Sequence, residues 1–274
     1  MNLRSRAGRR RLRLSVLLAL AALLLLAAAF ARRLCPFDPY AQDYAAALLP
    51  PGPEHPLGTD RYGRDMLSRV LMGGQVSIFS TLALVAAIAV FGTAVGVICG
   101  YVGGAADAVL MRLSDLCLAF PGLVFALAVA AVLGGGVVNA VLALAAISWP
   151  KYARLARSQT LALRRSDFIA AARLAGSRPW QVAVRHLLPN ILGPILVTAA
   201  LDIGTMMMEL AGLSFLGLGA QPPTAEWGSM MSDGRSMLQT YPWVVLAPGL
   251  AIFVTVALFN LLGDAVRDVL EGDG

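Results

Sequence analysis

Phe168-Ile-Ala-Ala-Ala-Arg-Leu-Ala-Gly176, followed at a fixed interval by Leu188-Pro189-Asn190, decides how this chain is read. The stretch is helix-forming and set among arginines, yet long apolar runs flank it on both sides. Eight basic residues fall between Lys151 and Arg185, and six arginines fall within the first 13 positions. Basic clusters beside apolar spans collect on the cytoplasmic side of a membrane. The island is therefore expected to face the cytosol, where a soluble partner can dock on it.

Composition points the same way. The chain has 274 residues, of which 58% are hydrophobic and 14% charged, and its mean hydropathy is +0.72. Soluble domains carry about 25% charged residues. That deficit, with near-uncharged runs of about 20 residues, indicates a polytopic membrane protein. The net charge of +6 raises nucleic acid as a partner. The basic residues flank apolar spans rather than forming a groove-binding face, so no nucleic-acid partner is expected. Cys35, Cys99 and Cys117 lack the pattern of a disulfide framework and read as small apolar packing residues.

The first apolar run, residues 14–31, follows Arg4 to Arg13. Ala29-Phe30-Ala31 resembles a signal-peptide cleavage site, but the run is longer than a signal core and Arg32-Arg33 would directly follow the cut. It reads as a first transmembrane helix. Residues 32–74 are rich in proline and balanced in charge, as an external loop would be. That loop ends in Gly58-Thr59-Asp60-Arg61-Tyr62-Gly63-Arg64-Asp65, and Met66, Leu67, Val70 and Leu71 then suit a short amphipathic helix on the membrane surface.

Further spans are expected at residues 76–101, 109–133, 137–155, 191–216 and 243–262. Pro121 should kink the third and Pro150 bend the fourth. Gly103-Gly104 and Gly134-Gly135-Gly136 read as turns. The fold class is thus an all-α polytopic membrane protein with six transmembrane helices and both termini cytoplasmic. Two parts are expected: residues 1–74, with the first helix and the external loop, and a five-helix core over residues 75–274 that includes the basic island, 156–190.

Within the island, Asp167 starts one short helix and Gly176 ends it; Ser177 caps a second, with Pro179 in its first turn and Pro189 stopping it. Trp180, Val182, Val184 and Leu187 supply the second helix's apolar faces. Ala171 and Ala172 keep one side of the first helix thin enough for a partner to approach closely. A plain amphipathic connector is the alternative reading.

At these residues the chain resembles the membrane subunits of ATP-binding cassette importers. Their coupling signature is Glu-Ala-Ala, three residues, Gly, nine residues, Ile, one residue, Leu-Pro. Ala171, Ala172, Gly176, Leu188 and Pro189 match it; Ala170 stands for the Glu and His186 for the Ile. The resemblance implies a coupling helix seated on an ATPase subunit. It also implies a second homologous permease, two ATPase subunits, an extracytoplasmic solute-binding protein and surrounding lipid. The location implied is the bacterial cytoplasmic (inner) membrane, and the mechanism ATP-driven alternating access.

Gly58-Thr59-Asp60 with Gly63-Arg64-Asp65, Phe120-Pro121, Gly212 to Gly219 and Phe259 to Asp264 look like the dipeptide, oligopeptide and nickel branch. Leu201 to Met207 and Pro223 to Gly228 look most like the second permease of nickel importers. Nickel or a nickel chelate is the solute so implied, with peptides the alternative.

Asp202 and Glu209 lie seven residues apart in the fifth span, on nearly one helical face. They are expected to line the translocation path and favour a cation or an ammonium group; an interhelical hydrogen bond is the competing reading. Arg112 and Asp115 suit a local ion pair. Glu226 and Trp227 are expected to touch the delivery protein or close an outer gate, although an interfacial anchor would also suit the Trp. His55 and His186 do not form a metal-ligand pair, and Met206, Met207 and Met208 read as packing, so neither a metal site nor a cofactor is expected. The chain lacks His-Glu-x-x-His, Gly-x-Ser-x-Gly and a phosphate loop, which argues against an enzyme. A passive channel would need no coupling island.

Overall fold

The computed structural model describes residues 3–270. Among the described residues the regular secondary structure is helical, apart from one isolated antiparallel bridge between Thr59 and Asp65. In chain order the helices are α1 (Leu3–Ala29), α2 (Ala31–Leu34), α3 (Met66–Val102), α4 (Gly104–Ala119), α5 (Gly122–Val132) and α6 (Val137–Leu163). They continue with α7 (Asp167–Leu174), α8 (Pro179–Gln181), a π-helical segment (Val182–Leu187), α9 (Leu188–Phe215), α10 (Trp227–Gly234) and α11 (Trp243–Leu270). Short 3₁₀ turns occupy Tyr44–Ala46 and Arg235–Met237. Residues 271–274 lie outside the described residues.

Four helical runs are long and apolar enough to cross a membrane: Gly8–Ala29, Met66–Val102, Pro179–Phe215 and Trp243–Leu270. The pair α4–α5, bent by 96°, makes a fifth if counted as one broken span. The expected kink at Pro121 is thus a full break. Proline cannot donate a backbone hydrogen bond and disfavours helix in the residue before it, and Phe120 is extended at φ −100°, ψ 147°. The expected fourth span falls within α6, which carries Lys151, Arg154 and Arg157 and is not among the apolar helices. Length and composition therefore identify four or five spans among the described residues, α6 not being one of them.

The surface helix expected at Met66 is instead the first turns of α3, which runs unbroken to Val102. Gly73 and Gly74 do not interrupt it; they make room for the Trp227 indole, which a Cβ on Gly73 would approach to 2.9 Å. Asp65 fixes its start, its Oδ2 accepting from the backbone N–H and hydroxyl of Ser68, each at 2.7 Å. Asp60 just upstream accepts from Arg64 Nε at 2.6 Å and lies 3.5 Å from Arg69 Nε, so the charged turn folds onto the helix it precedes. Cys35 joins this end, its Sγ donating to the Ser68 carbonyl at 3.3 Å. Burial and the Asp65 carboxylate push that thiol's pKa up, which keeps it protonated and inert.

The main packing seam joins α3 to α6. Gly92, Gly96 and Gly100 recur every four residues along α3 and bring its backbone against Trp149, Ala153, Arg157 and Thr160. A Cβ on Gly96 would sit 2.2 Å from the Ala153 carbonyl oxygen. In a bilayer, where burying apolar surface gains little, such close approach supplies the packing that holds helices together. Around the seam lies a core of Leu84, Ile88, Leu144, Tyr152, Ile191 and Leu213, contributed by α3, α6 and α9. On the other side α1 packs along α11 through Leu17, Ala21, Phe259 and Leu262.

Gly96→Ala is expected to lower the stability of the purified protein by about 1–3 kcal/mol, because its methyl meets backbone rather than a yielding side chain. Gly193→Ala, in open space on α9, is the control. Thermal midpoints read by a thiol-reactive or scattering assay check this; equal midpoints would show that the seam is loose.

Candidate functional site

The basic island leaves the end of α6, where Arg164 donates to the Gly100 carbonyl at 2.9 Å and ties the exit to α3. Asp167 begins α7, as expected, with its carboxylate in the first turn. Gly176 ends it in the left-handed conformation at φ +83°. Ser177 N donates to Ala172 O and Gly176 N to Arg173 O, the paired bonds that close a helix at a glycine.

Two expectations fail at the next helix. Arg178, not Ser177, is the N-cap residue, its backbone N–H donating to Gln181 Oε1 at 2.8 Å. Pro189 does not stop the helix: α8, the π segment and α9 run on as one span. The wider π turn just before Pro189 absorbs the proline ring and its missing N–H without a break.

Ile169, Val182 and Leu187 are fully buried against Tyr101 and Leu163, and the Arg173 guanidinium lies 5.3 Å from the Tyr101 ring centre. The hinge is thereby clamped to the end of α3. Ala171, Gly176 and Pro189 lie on its surface, while Ala172, His186 and Leu188 are half-buried. Of the residues expected on apolar faces, Val182 and Leu187 are buried while Trp180 and Val184 point outward. So do Phe168 and Leu174, which sequence reasoning did not single out; Leu174 is 90% exposed. Their signal was present: apolar residues on the side of α7 away from Ile169.

Deeper in the bundle, α6 carries three cations at three-residue intervals, each met by a carboxylate of another helix. Lys151 Nζ lies 2.5 Å from Asp202 Oδ1 on α9. Arg154 Nη2 lies 2.5 Å from Asp115 Oδ1 on α4, and its Nε donates to Ser114 Oγ. Arg157 donates from Nε and Nη2 to both oxygens of Asp107 at 2.6 and 2.7 Å, a bidentate pair. The local pair expected between Arg112 and Asp115 does not form. The charge on α6 offers Asp115 a better-placed partner, and Arg112 lines a shallow groove with Val109, Leu113 and Leu116.

Asp202 is buried and makes the interhelical contact that was the competing reading for it. Glu209 is half-buried, without a hydrogen bond or ion pair among the described residues. Thr198, Asp202, Thr205 and Glu209 follow at intervals of four, three and four, placing all four on one face of an otherwise apolar helix. Among the described residues no group of three or more His, Cys, Asp and Glu side chains is arranged to hold a metal ion. His55 is held by Asp65 at 2.9 Å.

Glu226 and Trp227 are 1% and 4% exposed. Glu226 caps α10, accepting from Gly228 N and Ser229 N at 3.0 and 2.9 Å and from Ser77 Oγ at 3.0 Å. The Trp227 indole N–H donates to the Val70 carbonyl at 2.9 Å. Both side chains bind α10 to α3 within the chain and leave almost no surface for an outside contact.

This helix arrangement occurs among solved structures in the inward-facing methionine ABC transporter MetNI. The match has a TM-score of 0.52 at 22% identity, over 70% of this chain and 94% of that one. The fold is thus that of an ATP-binding cassette transporter membrane subunit. The chain belongs to the family of inner membrane components of binding-protein-dependent transport systems, whose profile matches residues 92–273. It is 45% identical to the probable D,D-dipeptide transport system permease of Escherichia coli K12, over 91% of this chain and 84% of that one. Identity is 44% to the glutathione permease of Pectobacterium atrosepticum (91% and 83%) and 42% to the nickel permease of Escherichia coli K12 (91% and 90%). The chain is therefore an importer permease subunit of the dipeptide, glutathione and nickel branch, with ATP hydrolysis in separate subunits.

Glu226→Ala is expected to cost about 1–2 kcal/mol through the lost cap. The thermal midpoint of the purified chain should fall with no binding protein present. An unchanged midpoint with impaired uptake would return Glu226 to a contact surface.

Proposed function

We propose that this chain is one of two homologous membrane subunits of an ATP-driven importer that carries short peptides across the bacterial cytoplasmic membrane. The polar face of α9 carries this reading. Thr198, Asp202, Thr205 and Glu209 would be costly against lipid, so the face belongs against a water-filled path. On that face Asp202 is already neutralised by Lys151. The pair keeps an ammonium on the face alongside the Glu209 carboxylate, unpaired among the described residues, and charges of both signs suit a solute that carries both. The sequence motifs rank nickel first; the presence of both signs of charge on this face supports a two-ended solute instead. A nickel chelate remains the second reading, favoured by the nickel permease relative, because its organic ligands could meet the same face.

The hinge is the coupling element. Ala171, Ala172, Gly176, His186, Leu188 and Pro189 set its shape, and outward Phe168, Leu174 and Trp180 supply the apolar contact for an ATPase subunit. With the hinge and both termini in the cytosol, the Tyr44 loop and α10 lie outside, facing a solute-binding protein. Nucleotide-driven movement of the hinge would pass through α6 into α4 and α9.

The assembled importer, with its ATPases and binding protein in proteoliposomes, should take up labelled tri-alanine in an ATP-dependent manner and well above nickel. ATP-driven nickel uptake without peptide uptake would reverse the assignment.

A further inference from the structure

Resting on the peptide reading, the geometry around Lys151 also indicates how the solute is held. We propose that Lys151 and Glu209 form a two-ended subsite for a di- or tripeptide with free termini, Lys151 taking the carboxylate and Glu209 the ammonium.

Lys151 is paired without being covered. Its Nζ touches Asp202, which is itself buried, yet the Lys side chain is 56% exposed. An ammonium has three donors, and Asp202 takes one of them. Asp202 is thus a positioning residue: it holds the ammonium in place and leaves its other donors turned outward.

Behind the pair lies Tyr152, fully buried beside Asp202. Glu209 is the incomplete group, a half-buried carboxylate within an apolar helix that makes no hydrogen bond or ion pair among the described residues.

The spacing selects length. Seven residues of α9 separate Asp202 from Glu209, a rise of about 10 Å. An extended peptide spans at most about 3.6 Å per residue, so three residues reach about 10 Å. Lysine's flexible stem lets a dipeptide reach as well. A single amino acid spans too little to touch both ends, a peptide blocked at either terminus loses one anchor, and a divalent cation engages only the carboxylate end.

The test is equilibrium binding of tritiated tri-alanine to the assembled transporter in nanodiscs, both permeases and both ATPases present and the binding protein left out. Saturable binding is expected, weakened about tenfold or more by Lys151→Met and by Glu209→Gln, the loss expected for one charge-assisted hydrogen bond. Alanine, nickel ion, N-acetyl-tri-alanine and tri-alanine amide should each compete at least about tenfold less well than tri-alanine. Absence of saturable binding, full affinity in Glu209→Gln, or equal competition by alanine or nickel would overturn the subsite. Should Lys151→Met fail to assemble, Glu209→Gln decides alone, since Glu209 has no partner to lose. ATP-driven uptake by the same preparation, with binding protein restored, separates the two levels. Peptide uptake without the binding pattern removes only the subsite; nickel uptake without peptide uptake removes the reading beneath it.

Discussion

Three cations on α6 are each met by an opposite charge from another helix. A buried carboxylate such as Asp202 left unpaired costs several kcal/mol even after relaxation, whereas the exposed Arg154–Asp115 pair contributes about 1 kcal/mol or less. Asp107 and Asp115 on α4 and Asp202 on α9 supply the opposite charges. These pairs fix which helices surround α6, while the glycine seam fixes how closely α3 lies against it. Because the hinge leaves directly from α6, these pairs connect it to α4 and α9.

Much of this was legible in the sequence because it depends on local order. Gly176 ends α7 because only a residue tolerant of left-handed backbone fits there. The face shared by Asp202 and Glu209 follows from helical periodicity alone. The failures share another cause. Arg112 and Asp115 have suitable spacing, but Asp115 finds Arg154, 39 residues away, and spacing carries no information about such a partner. Glu226 and Trp227 looked like loop residues free to meet another protein; their partners Ser77 and Val70 lie about 150 residues upstream. Pro189 reads as a stop, since a π turn that accommodates a proline leaves no mark in composition.

The same α6 charges explain why the span count was not reached. They remove α6 from the apolar helices although its 27 residues would reach across a bilayer. They also bear on the solute. Motif resemblance could not separate nickel from peptide, because relatives bearing either label are similar to this chain to nearly the same degree. The place of the Lys151 ammonium beside the polar face, on which the peptide proposal draws, comes from tertiary structure rather than sequence pattern.

The account depends most on the two-sided arrangement that puts the hinge in the cytosol and the proline-rich loop outside. Labelling with a membrane-impermeant maleimide tests it directly, using Leu174→Cys and Tyr44→Cys in a background with the three native cysteines replaced. Leu174→Cys should label only in inside-out vesicles and Tyr44→Cys only in right-side-out ones. The opposite pattern would put the hinge beyond the reach of any ATPase and contradict the account.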